Sequence, residues 1–186
     1  MNVISLTASR DLDFIARVEK ESGQKVSLCY QCGNCTAGCP YTFVYDIPVH
    51  QVMRLLQAGQ KQTLLSCRSI WLCATCQSCT TRCPNNIDVA HVMDTLRHMA
   101  RREGQDTEYG VKSFVDSFLE SVEKNGRAFE MGLLVSFIMK TGRFWTDVDL
   151  APKILPKGKL SPLPHKVKNP AAIAKIFERF RQEGHK

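Results

Sequence analysis

The chain has 186 residues, 44% of them hydrophobic, with 25 Lys and Arg against 18 Asp and Glu for a net charge of +7. That length makes one large domain or two small ones, with enough apolar side chain to bury a core. The longest apolar window, Met131 to Met139, is broken by Gly132 and Ser136. It falls far short of the roughly 20 residues that cross a bilayer, so a soluble protein is expected. The N-terminus, Met1-Asn2-Val3-Ile4-Ser5-Leu6, lacks the charged segment and apolar run of a secretory signal.

In chain order, Ser9 reads as the N-cap of a first amphipathic helix with the stripe Leu12, Phe14, Ile15 and Val18, closed by Gly23. A cysteine run follows: Cys29-x2-Cys32-x2-Cys35-x3-Cys39-Pro40. Asp46 then reads as the cap of a second helix, with Pro48 in its first turn, Val49, Val52, Met53 and Leu56 on one face, and Gly59 at its end. The pattern then repeats. Cys73-x2-Cys76-x2-Cys79-x3-Cys83-Pro84 lies 44 residues after the first run, and Val89, Val92, Met93 and Leu96 lie 40 residues after the first stripe. The chain is an internal duplication of cysteine loop, Cys-Pro and helix, and no period-2 alternation marks a strand beside either run.

Beyond a boundary near 105, Val111, Phe114, Val115, Phe118, Leu119 and Val122 form a strong helical stripe ending at Asn125-Gly126. A second helix through Met131, Leu134, Val135, Ile138 and Met139 completes an expected αα-hairpin over 106–144, packed on the preceding domain. Residues 145–186 change character. Pro152, Pro156, Pro162, Pro164 and Pro170 interrupt scattered apolar residues, and Asn169-Pro170 opens a last helix carrying Ile173, Ile176, Phe177 and Phe180. Residues 1–150 hold 16 basic and 16 acidic residues, so the whole excess of +7 sits in 151–186, with 9 basic and 2 acidic. This basic arm reads as a partner-docking segment, with a strap over its own core or a solvated tail as the alternatives.

Eight of the nine cysteines belong to the two runs. Their spacing is that of bacterial two-cluster ferredoxins, in which the fourth cysteine of each run ligates the other [4Fe–4S] cluster. Carried over, one cluster is held by Cys29, Cys32, Cys35 and Cys83, and the other by Cys73, Cys76, Cys79 and Cys39. Three cysteines at x2 intervals wrap a loop around three iron corners, and the x3 gap with proline turns the chain away before the fourth. Thiolates are also the soft ligands such clusters require. Zinc is the rival, but it usually takes separated CxxC pairs or cysteine with histidine, and no histidine lies within either run. Disulfides in a secreted chain are a further alternative. Metal-loaded thiols point instead to a reducing compartment, the cytoplasm.

Cys67 stands outside both runs and reads as a buried small hydrophobe. Trp71 and Leu72 are expected to shield the second cluster, and His50 and His91 to support the sites without ligating. No glycine-rich phosphate loop, nucleotide fingerprint or acid–base pair beside a nucleophile is present. With every iron held by cysteine no open coordination site remains for substrate, which leaves outer-sphere electron transfer.

The loop-plus-helix repeat resembles the α-helical ferredoxin domain of succinate dehydrogenase and fumarate reductase iron–sulfur subunits, giving an all-α fold class. The residues between the cysteines are more specific. Cys29-Tyr30-Gln31-Cys32-Gly33-Asn34-Cys35-Thr36-Ala37-Gly38-Cys39-Pro40, its counterpart from Ile70 to Pro84, and Lys157-Gly158-Lys159-Leu160-Ser161-Pro162-Leu163-Pro164 resemble the iron–sulfur C subunits of heterodisulfide reductases. That resemblance is read over most of the chain. It implies an electron-relay role with two [4Fe–4S] clusters and no catalytic residues of its own. Its implied partners are a flavin-bearing iron–sulfur protein (the family's A component) and a cysteine-rich protein (its B component) that reduces the disulfide. The alternatives are the iron–sulfur subunit of another, quinone-linked dehydrogenase, or a zinc-bound interaction or nucleic-acid module. The tail lacks the alternating aromatics a base-stacking surface would need.

Overall fold

A computed structural model describes residues 10–144, 157–158, 161 and 163–183, and every regular element among them is helical. The chain divides into two compact units, Met1–Glu108 and Tyr109–Lys186.

The first unit contains α1 (Leu12–Ser22), the short α2 (Asn34–Ala37), α3 (Val49–Gln57), α4 (Lys61–Leu65), α5 (Ser69–Leu72), α6 (Ser78–Thr81) and α7 (Val89–Arg102). The duplication is structural. The one-turn helices α2 and α6 start 44 residues apart, α3 and α7 start 40 apart, and α2 packs against α6. Both predicted stripes are fully inward: Val49, Val52, Met53 and Leu56, like Val89, Val92, Met93 and Leu96, are at most 3% exposed. Phe14, Val18, Leu64, Leu65 and Ile70 complete this core. Each such side chain contributes about 1.5–3 kcal/mol by leaving water.

Helix starts depart from the sequence expectation at two places. The cap of α1 is Asp11, not Ser9; its carboxylate accepts from Phe14 N at 2.7 Å. The Asp11 N–H also donates to Gly59 O at 3.0 Å, tying the start of α1 to the end of α3. With this start Phe14, Val18 and Ser22 are buried, while Leu12 is 61% exposed. A Cβ on Gly59, whose φ is +67°, would stand 2.8 and 2.9 Å from Asp11 N and O, so both its φ and its surroundings require glycine.

Asp46 does not cap α3, which begins after Pro48. It reaches 22 residues along to the start of α5, accepting from Arg68 N and Ser69 N, each at 2.9 Å, and from Ser69 Oγ at 2.6 Å. Burial alone would raise its pKa, but the donors from Ser69, Arg68 and Ile47 together hold it below the ordinary carboxylate value.

In the second unit, α8 (Tyr109–Asn125) and α9 (Glu130–Thr141) pack as a hairpin, and α10 (Pro170–Glu183) lies against α8. The turn uses Gly126 at φ +77°, and Ser121 Oγ accepts from Phe129 N at 2.9 Å. The contact face is not the aromatic stripe. Ser113 and Ser117 are the buried residues of α8, and Ser117 Oγ meets Ser136 Oγ at 3.0 Å. Small residues let two helices approach closely, so Phe114, Val115, Phe118 and Leu119 stay 38–48% exposed. Phe114 still meets Phe137 edge-on, with centroids 6.0 Å apart. Asn169 caps α10 by accepting from Ala172 N, and Arg181 forms a forked pair with Glu123 at 2.7 and 3.1 Å. The described part of the tail therefore straps its own helix hairpin. The proline-rich stretch from 145 to 156 lies outside the described residues.

Candidate metal centre

Each cysteine loop is bent by left-handed residues on either side of its middle cysteine. Gln31 (φ 64°) and Gly33 (φ 81°) flank Cys32, and Thr75 (φ 49°) and Gln77 (φ 65°) flank Cys76. Non-glycine residues reach this region at a cost of about 1–3 kcal/mol, and a β-branched threonine there is a true outlier. The strain turns all three thiols of a run toward one hollow. The α2 or α6 turn then carries the chain on to the fourth cysteine. Gly38 lies under the Arg82 side chain, where a Cβ would collide with it.

A threonine after the third cysteine locks each loop to its following helix. Thr36 Oγ1 accepts from His50 N at 2.9 Å, and Thr80 Oγ1 accepts from Ala90 N at 3.2 Å, satisfying free donors in the first turns of α3 and α7. The hydroxyls also pair with His50 Nδ1 at 2.9 Å in the first repeat and Asp88 Oδ1 at 2.8 Å in the second.

Two small, partly open hollows result. The first is lined by Cys29, Cys32 and Cys35 with Cys83, and closed by His50, Met53, Ile87 and Val89. The second is lined by Cys73, Cys76 and Cys79 with Cys39, and closed by Tyr41, Tyr45, Val49, Ala90 and Met93. Thus each hollow takes three thiols from one run and one from the other. Cys32 and Cys76 are exposed, Cys79 is buried, and the other five are half-buried. None of the nine cysteines is in a disulfide.

Burial, then the neighbouring Cys73 charge, pushes Cys79 up to about 11, and burial raises Cys35. Ser78 holds the exposed Cys76 thiol below its usual range. Thiolates gathered around a largely apolar hollow need positive charge at its centre, which a metal cluster supplies. A lone zinc ion would draw its sulfurs to about 2.3 Å from one point. Here four thiols line each hollow, three from one run and one from the other, which is the all-cysteine donor set of a [4Fe–4S] cube. The donor set and hollows fit [4Fe–4S] cubes.

Other expected residues sort differently. Cys67 is 3% exposed, lines neither hollow, and is pushed up to about 11 by burial. Trp71 is buried in the core, but neither it nor Leu72 lines the second hollow. Tyr45, Val49, Ala90 and Met93 are among the residues that line it instead. His50 lines the first hollow and His91 is exposed. Sequence reasoning missed Tyr45, Thr36 and Thr80, although the threonines recur at the same offset of 44 as the cysteines.

Residues 17–88 match the family described as a 4Fe-4S dicluster domain. The chain is 30% identical over 94 residues to the C subunit of the H(2):CoB-CoM heterodisulfide,ferredoxin reductase of Methanothermobacter thermautotrophicus, covering 50% of this chain and 51% of the relative. It is 32% identical over 110 residues to the iron-sulfur C2 subunit of the CoB–CoM heterodisulfide reductase of Methanocaldococcus jannaschii, covering 58% and 59%. The C2 subunit of a H(2)/formate:CoB-CoM heterodisulfide,ferredoxin reductase from Methanococcus maripaludis is 36% identical over 86 residues, 46% of each chain. The chain thus spans about half the length of the curated relatives it matches, a narrower stretch than the sequence resemblance suggested. The dicluster match contains all eight cysteines of the two runs, and the cofactors of this chain are [4Fe–4S] clusters.

Proposed function

We propose that this chain is the electron-relay component of a heterodisulfide-reductase-type complex. Cys29, Cys32, Cys35 and Cys83 hold one [4Fe–4S] cluster, and Cys73, Cys76, Cys79 and Cys39 hold the other. The clusters supply one-electron redox chemistry when bound. The protein seats them side by side, shields them with Met53, Met93 and Tyr45, and leaves one ligand of each, Cys32 and Cys76, at the surface. The observation that carries this reading is the crossed grouping of the eight thiols into two hollows. Electrons enter from a flavin-bearing partner and leave toward a cysteine-rich, disulfide-reducing partner. The relatives' names support the coarser part of this reading, an iron–sulfur subunit of a heterodisulfide reductase with several subunits. The cationic 151–186 segment offers a docking surface in the assembly while its last helix, α10, stays anchored on α8. Among the described residues no helix is long and apolar enough to cross a membrane, and iron-loaded thiols suit the reducing cytoplasm.

The test is anaerobic purification with iron and acid-labile sulfide analysis, which should return about eight of each per chain. Zinc without sulfide would end this reading. Cys83→Ser, compared by EPR with Cys32→Ser and Cys76→Ser, should perturb the same cluster signal as Cys32→Ser; a match to Cys76→Ser would refute crossed ligation. Deleting 151–186 should leave both clusters and release the partners on gel filtration.

A further inference from the structure

The duplication allows each residue of one repeat to be compared with its counterpart in the other, 44 positions on in the loops and 40 in the helices. In the first repeat Gln57 Nε2 donates to Val26 O at 3.0 Å and to Cys29 O at 2.7 Å. In the second, Arg97 occupies the counterpart position and donates to the counterpart carbonyls, from Nε to Ile70 O at 2.7 Å and from Nη2 to Cys73 O. The same clamp on the first cysteine of each run is a neutral amide in one repeat and a guanidinium in the other.

The flanking charges are also exchanged. Arg54 Nη1 touches Gln57 Oε1 at 3.5 Å, with its guanidinium in solvent, whereas Arg97 pairs with Asp94 at 3.5 Å. Asp94 offsets part of the Arg97 charge. However, the guanidinium is the group on the cysteine carbonyl and its side chain is 23% exposed. The Arg54 charge is separated from its loop by the amide and screened by water.

The polar groups beside the sulfurs also differ. Around the first hollow Gln31 Nε2 donates to Cys29 Sγ and Ile87 N to Cys83 Sγ, both at 3.4 Å. Around the second, Cys76 Sγ donates to Ser78 Oγ at 3.5 Å, and Tyr45 lines the hollow together with Cys39 and Cys73. Four residues before α7, as Tyr45 is four before α3, stands Asn85, which donates its amide to Leu28 O instead.

Reduction adds negative charge, so nearby cations and donors stabilise the reduced state and raise the potential. We propose that Arg97, supported by Tyr45, makes the Cys39, Cys73, Cys76 and Cys79 site the higher-potential member of the pair, so that a single electron entering the protein rests there. With clusters bound, one electron would be favoured on the second site over the Cys29, Cys32, Cys35 and Cys83 site, with no bond changed and no proton moved. This rests on the ligand sets proposed above, which iron content and Cys83→Ser test without reference to potential.

The experiment is an anaerobic dithionite titration of the two-cluster protein followed by EPR, which resolves two one-electron steps. Arg97→Gln installs the residue that the first repeat already uses. It should lower the upper step and shift the electron's partition about tenfold, equivalent to about 59 mV for one electron. Tyr45→Phe should lower the same step. Gln57→Arg should raise the lower step and leave the upper one in place. The proposal is overturned if Arg97→Gln moves the lower step, or if neither clamp variant moves either step while iron and sulfide remain complete. Should Arg97→Gln lose iron, Gln57→Arg decides alone: a raised lower step supports the assignment, and an unmoved one or a shift of the upper step overturns it.

Discussion

Asp46→Asn should cost far more than a surface substitution. Oδ2 of Asp46 receives Arg68 N, and Oδ1 receives Ser69 N, Ser69 Oγ and Ile47 N. Asparagine retains one oxygen but presents an NH2 group to the Arg68 N–H. One bond is lost outright, two donors face each other, and the remaining bonds lose their charge assistance. At about 1 kcal/mol for a neutral bond and 1.5–3 for one to a charged group, the loss comes to about 2 kcal/mol. For a unit of this size that lowers the melting midpoint by roughly 10 °C. The assay is an anaerobic thermal scan of the cluster-loaded protein, followed by helical circular dichroism and cluster absorbance. Asp13→Asn on exposed α1 surface is the control, expected within about 0.5 kcal/mol of the unaltered chain. The sign with pH follows from the depressed folded-state pKa. Stabilisation by the carboxylate is present above the unfolded value of about 3.9 and lost only as pH falls through the lower folded value. The gap between the two proteins should therefore stay constant from about pH 6 to 9, where the carboxylate is ionised in both states. A midpoint matching that of Asp13→Asn would show that α5 does not depend on this cap.

Other substitutions separate the physical terms. Gly59→Ala meets both a left-handed φ and the Asp11 backbone, whereas Gly23→Ala at φ +65° meets open space; the first should cost well above, and the second about, 1 kcal/mol by denaturant midpoint. Leu56→Ala and Leu96→Ala, counterparts in the duplicated core and both 0% exposed, should each cost about 2–5 kcal/mol. Thr80→Val removes the hydroxyl that joins Ala90 N and Asp88, so it should destabilise by about 1 kcal/mol while Thr80→Ser keeps the cap. Cys67, with its thiol pushed up to about 11, should resist iodoacetamide in the folded protein at pH 8 and react once it is unfolded.

Features with a fixed period were legible in the sequence. The two helix stripes at an offset of 40 are inward to within a few per cent, and the eight cysteines of the runs are the eight that line the hollows. Features whose partner is chosen by tertiary structure were not. Asp46 sits beside α3 in sequence, so local capping rules assign it there, yet three of its four donors lie 22 and 23 residues away. On α8 the hydrophobic pattern outweighs the serines to a reader of sequence. Two helices that touch along a narrow line instead favour the small residues Ser113 and Ser117, which permit close approach. Trp71 is buried in the core without lining the second hollow, because nearness to Cys73 along the chain does not decide which residues close the space around its sulfur.

Gln57 and Arg97 show what a duplication preserves and what it leaves free to diverge. The buried apolar positions are locked in pairs, since a hole or excess in either copy costs kilocalories. Backbone strain at Gln31 and Thr75, and at Gly33 and Gln77, is also paired, because the hollow exists only while each loop is bent that way. The polar residues that touch cysteine carbonyls and sulfurs carry no such constraint. An amide or a guanidinium can each satisfy the Cys29 or Cys73 carbonyl, but they differ by a whole charge at the site where an electron is to be placed. Two identical halves would hold that electron equally. Divergence at the positions that tune charge, on a scaffold held fixed by packing, is therefore the cheapest route from a symmetric pair of sites to a relay with a direction.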